Sequence, residues 1–61
     1  MLNVNQATQD ELNAVEGLAG HGPEIVRYRE ERGGFTDLSQ LDEVPGLTGK
    51  VEDATRRELT V

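Results

Sequence analysis

The stretch Val44-Pro45-Gly46-Leu47-Thr48-Gly49 has an earlier counterpart, Val15-Glu16-Gly17-Leu18-Ala19-Gly20, and both read apolar-x-Gly-Leu-x-Gly. Shifting the chain by 29 positions lays Leu12 on Leu41, Val15 on Val44, Gly17 on Gly46, Leu18 on Leu47 and Gly20 on Gly49, five identities in nine positions. A match at a fixed period marks a duplicated supersecondary unit. The chain is therefore expected to fold as two copies of one local structure.

A helical pattern runs into each stretch and another leaves it. The first glycine of each (Gly17, Gly46) stands where a helix has to stop, and glycine takes positive φ there without steric cost. A leucine between two glycines is unusual for a solvated loop, so Leu18 and Leu47 are expected to pin their turns to the core. The second glycine (Gly20, Gly49) is placed near the start of the next helix, where the first backbone N–H groups lack partners. A tight turn feeding a helix start directs N–H donors outward and suits an anion such as phosphate. The plain alternative is a pair of short connectors between antiparallel helices.

The flanking signals predict four short helices. Leu2-Asn3-Val4-Asn5 alternates as extended chain, and Thr8-x-x-Glu11 is a capping box that starts the first helix just after Thr8. Gly22-Pro23 opens the second, since proline is favoured in the first turn, and Gly33-Gly34 ends it before Phe35, an expected core anchor. Asp37-x-x-Gln40 repeats the cap signal in the same 29-residue register and opens a third helix with Leu38, Leu41 and Val44 on one face. The fourth is predicted over about Gly49 to Arg57, with Val51 and Ala54 pointing inward. The tail Leu59-Thr60-Val61 resembles the start of the chain in character and is expected to lie near it. No longer strand signal is present, so the class is all-α.

At 61 residues without cysteine, the chain is one domain with a thin core and no disulfide or thiolate metal site. No nucleophile–base pair, metal-ligand cluster or phosphate-loop lysine motif is visible, so no catalytic residue, no metal and no cofactor is expected. No apolar run reaches membrane-spanning length, and no membrane contact by this segment is expected. The net charge of −6 argues against casual binding of polyanions.

Taken together, Asn3-Val4-Asn5-x-Ala7-Thr8-x-x-Glu11-Leu12, the two Gly-Leu-x-Gly hairpins, Tyr28-Arg29-Glu30-Glu31-Arg32-Gly33-Gly34-Phe35 and Leu59-Thr60-Val61 resemble the tandem helix-hairpin-helix domain, closest in pattern to the ComEA-like DNA receptors of bacterial competence. The resemblance spans residues 1–61. It implies two helix-hairpin-helix motifs, about 8–33 and 37–58, related by a pseudo-two-fold axis as in SAM-like bundles. It implies sequence-independent contact with duplex DNA phosphates at Gly17, Leu18, Gly20 and His21 and at Gly46, Leu47, Thr48, Gly49 and Lys50. It also allows a monovalent cation in a hairpin, and implies a larger parent chain or assembly, cytoplasmic or extracytoplasmic.

The chain departs from the family pattern Pro-Gly-Ile-Gly. Ala19 and Thr48 occupy the place of its second glycine, Glu16 stands where the other hairpin has Pro45, and Lys50 is matched by His21. With His21 neutral, the windows Val15–Ile25 and Glu43–Asp53 each sum to −2. Duplex binding is therefore expected to be weak. The alternative expectation is an acidic structural or protein–protein interaction module that binds no DNA. The extrinsic U subunit of photosystem II resembles this fold and serves as a scaffold.

Overall fold

The computed structural model of the protein describes residues 1–61. The order of elements is β1 (Leu2–Asn3), α1 (Gln9–Asn13), α2 (Gly22–Arg32), a 3₁₀ helix (Leu38–Glu43), α3 (Asp53–Arg56) and β2 (Leu59–Thr60). The fold is all-α apart from the pairing of the two chain ends.

Both cap signals form as written. Thr8 Oγ1 accepts the Glu11 N–H at 3.1 Å while Glu11 Oε1 accepts the Thr8 N–H at 2.8 Å. Asp37 Oδ1 accepts the Ser39 N–H at 2.8 Å, and Gln40 Oε1 accepts the amides of Thr36 at 2.7 Å and Asp37 at 3.2 Å. Each satisfies helix-start donors that would otherwise lack partners. The helix α2 begins at Gly22-Pro23 and stops at Gly33.

Three expectations are corrected. The third segment is a 3₁₀ helix, not an α-helix, closed by i to i−3 bonds such as Val44 N–H to Leu41 O at 3.1 Å. Its six residues run from the Asp37 cap to Val44, and the following Pro45 holds Val44 extended (φ −72°, ψ 127°), so an α turn cannot run on. The fourth helix is Asp53–Arg56 alone, not Gly49 to Arg57. In the first motif Gly22-Pro23 opens the helix, but the matching positions hold Val51, whose side chain is buried, and Glu52, which is extended. Ala54 is accordingly exposed, and Thr55 takes the inward place expected of it.

Twelve apolar residues form the core, with Leu12, Leu18, Ile25, Leu41, Leu47 and Leu59 sealed from solvent. Burial of such side chains contributes about 1.5–3 kcal/mol each. Phe35 does anchor the middle: its ring stacks on Tyr28 with centroids 4.9 Å apart. The chain ends pair in parallel, Leu2 opposite Leu59 and Asn3 opposite Thr60. Arg29 ties this region to α2 by donating to the Val4 and Ala7 carbonyls, each at 2.8 Å.

Candidate functional site

The two hairpins have one geometry. In the first, the Leu18 N–H donates to Val15 O at 3.0 Å and the His21 N–H to Leu18 O at 2.9 Å. In the second, the Leu47 N–H donates to Val44 O at 3.0 Å and the Lys50 N–H to Leu47 O at 2.9 Å. Gly17 and Gly46 have φ of +94° and +91°, Gly20 and Gly49 +83° and +72°. Each hairpin is thus two consecutive turns sharing the leucine, with glycine at the third position of each turn, the slot that takes positive φ in a type II turn.

This arrangement sorts the candidate residues. Leu18 and Leu47 are fully buried and spend their amides inside the turns, so they hold the bends rather than face a ligand. The amides of His21 and Lys50 are spent in the same way. The amides of Gly17 and Gly20, and of Gly46, Thr48 and Gly49, donate to no protein acceptor and belong to exposed residues. Ala19 joins this set and was missed by sequence reasoning. Its equivalence to Thr48 under the 29-residue shift was the signal that could have found it.

The side chains divide less evenly. The Thr48 hydroxyl folds back and donates to Asp42 O at 2.8 Å, leaving its amide outside. His21 Nδ1 lies 3.1 Å from Glu24 Oε1, so its imidazole is held by its own helix. Lys50 is exposed and makes no ion pair. It lines a groove of about 390 Å³ with Gly17 and Thr55, rimmed by Glu16, Glu52 and Glu58.

Each hairpin leans on the helix that follows the other. Thr55 of α3 covers Gly17 and donates its hydroxyl to Glu16 O at 3.2 Å. Glu24 of α2 covers Gly46. Each hairpin is thus packed by a residue of the other motif.

Most cations serve the fold. Besides Arg29, Arg56 pairs with Asp42 and Asp53, both at 3.1 Å, Arg27 pairs with Glu31 at 2.9 Å, and Arg32 lies over the Tyr28 ring, 5.3 Å from its centroid. Lys50 and Arg57 have no such partner. No group of three or more His, Cys, Asp or Glu side chains converges to hold a metal ion. No helix is long and apolar enough to cross a membrane.

The helix-hairpin-helix motif family matches residues 1–60. The chain belongs to the helix-hairpin-helix family. It is similar to ComE operon protein 1 of Bacillus subtilis (strain 168), at 34% identity over 65 aligned positions that cover all of this chain and 30% of that relative. The helix-hairpin-helix domain seen here is thus ComEA-like and spans under a third of the length of that relative. No solved structure matches it significantly.

Proposed function

We propose that this helix-hairpin-helix domain is a non-enzymatic module that holds duplex DNA by its phosphates, through hairpin amides and without reading sequence. The observation that carries this reading is the set of six amides without a protein acceptor on exposed residues, Gly17, Ala19 and Gly20 on one tip and Gly46, Thr48 and Gly49 on the other. Backbone donors address phosphate oxygens and carry no base information. Lys50 supplies one free cation beside the second tip. With so few cations, affinity is low and the salt dependence shallow, because each neutralised phosphate contributes a slope of about −0.9. The resemblance to competence DNA receptors supports the same reading.

The test is fluorescence anisotropy at low salt with two duplexes of unrelated sequence. Equal binding to both is expected, with Lys50→Glu weakening it and flattening the salt slope by about 1. Absence of binding, or indifference to Lys50→Glu, overturns the proposal.

A second reading, an acidic protein-interaction module, is favoured by the three glutamates rimming the Lys50 groove. Capture of a basic protein in the absence of nucleic acid, together with no duplex binding, would establish it instead.

A further inference from the structure

We infer that Glu24 is a built-in brake on the second hairpin: its carboxylate is held beside the Gly46 turn and lowers the affinity of that turn for phosphate. The inference rests on the DNA reading above.

Glu24 sits in the first turn of α2, where a carboxylate ordinarily turns back to its own helix start. Here it bridges His21, the cap residue of its own helix, and Gly46 of the other motif. A Cβ built on Gly46 would stand 2.6 Å from Glu24 Oε2 and 3.3 Å from both Cδ and Oε1, so the carboxylate is packed against the glycine, Oε2 nearest. Its other contact, His21 Nδ1 at 3.1 Å from Oε1, fixes it there. None of the Gly46, Thr48 and Gly49 amides donates to it, so its charge stands beside the Gly46 turn without being taken up by these donors.

Apart from His21, no side chain pairs directly with that carboxylate. Glu24 lines a second groove, distinct from that of Lys50, together with Arg27, Arg32 and Pro45, but Arg27 is engaged by Glu31 and Arg32 lies over the Tyr28 ring. Glu43 lines it too and adds negative charge while accepting the Tyr28 hydroxyl. Over the first hairpin the equivalent cover is the neutral Thr55 hydroxyl. Lys50, the cation of the second hairpin, lines the groove beside Gly17 and makes no ion pair with Glu24, so the Glu24 charge beside Gly46 is left to oppose a phosphate there.

The experiment compares wild type, Glu24→Gln and Glu30→Gln, the last an exposed carboxylate on the same helix, for binding to a short duplex at low salt. Each substitution raises the net charge of −6 by one, and thermal melts confirm folding. The expected result is that Glu24→Gln tightens Kd about twofold to fivefold, the range of an exposed charge–charge interaction, with larger duplex-induced shifts of the Gly46 and Thr48 amides in ¹⁵N spectra. Glu30→Gln leaves Kd unchanged. Equal tightening by both, or none by Glu24→Gln while wild type binds, overturns the brake alone. Failure of all three proteins to bind removes the DNA reading and the brake with it.

Discussion

Thr55 lies against Gly17, and its hydroxyl donates to the Glu16 carbonyl at 3.2 Å. A residue of the second motif thereby closes over the first hairpin. The contact separates two glycines that look alike in sequence. Gly17 and Gly20 both have positive φ, but a Cβ on Gly17 would overlap the Thr55 hydroxyl, whereas one on Gly20 meets nothing within 4 Å. Gly20→Ala should cost about 1–2 kcal/mol for the left-handed conformation alone. Gly17→Ala adds overpacking and should cost about 2–4 kcal/mol. Urea denaturation of both variants checks the difference, and Thr55→Ala should recover part of the Gly17→Ala loss.

Gly22 gives the opposite of the usual helix rule. Replacing glycine by alanine inside a helix ordinarily gains about 0.8–1 kcal/mol. Here a Cβ would stand 2.6 Å from the Gln9 carbonyl oxygen and 2.6 Å from Asn13 Oδ1, which accepts the Gly22 N–H at 2.8 Å. The backbone oxygen cannot swing away. Gly22→Ala should therefore destabilise by about 1–3 kcal/mol, read as a lower urea midpoint with an unchanged slope.

Asn5 bridges the chain start to the core anchor, donating Nδ2 to Phe35 O at 2.9 Å and accepting the Phe35 N–H on Oδ1 at 2.6 Å. Truncation leaves both Phe35 groups unpaired beside a buried ring. Asn5→Ala should cost about 1–3 kcal/mol, measured by the same denaturation.

The parts of this architecture legible in the sequence are those set by local chemistry. Thr8/Glu11 and Asp37/Gln40 announced their caps, Gly22-Pro23 its helix start, and the glycine register both turns, because each is decided within about four residues. The tails also paired as their matching composition suggested. The 3₁₀ form of Leu38–Glu43 was not legible, since its Asp37/Gln40 cap signal is shared with an α-helix, and the shortness of Asp53–Arg56 was not, since it depends on Val51 entering the core where the first motif has a glycine. For the same reason the inward residue is Thr55 and not Ala54. In the candidate site, the repeat pointed to the amides of Gly46, Thr48 and Gly49. Glu24 over Gly46 was invisible, because it joins residues of different motifs and has no local signature.

Tyr28 should give the domain an alkaline limit. Its hydroxyl is held above the ordinary tyrosine range, first by burial, then by the bond it donates to Glu43 Oε1 at 2.9 Å, then by the negative charge of Glu43, with Arg32 opposing. A raised folded value means that the fold favours the protonated ring. That stability is fully present below the unfolded value of about 10 and is lost as pH rises through the folded one. The melting temperature of wild type should fall steeply above about pH 10. Tyr28→Phe, with no proton to lose, should show a flatter decline over the same range. Parallel declines would refute a role for this hydroxyl.

Glu16→Pro should make the first hairpin a closer copy of the second. Pro45 occupies the equivalent position, preceded by Val44 in the extended conformation that proline requires (φ −72°, ψ 127°). The Glu16 N–H donates to no protein acceptor, so proline removes no bond, and the carbonyl that receives Thr55 is kept. The gain comes from restricting the unfolded chain and should be about 0.4–1 kcal/mol. For a domain of this size it corresponds to a rise of roughly 2–8 °C in melting temperature. A fall instead would mean that Val15 does not share the backbone of Val44, and that the two turns are not equivalent where their chains enter.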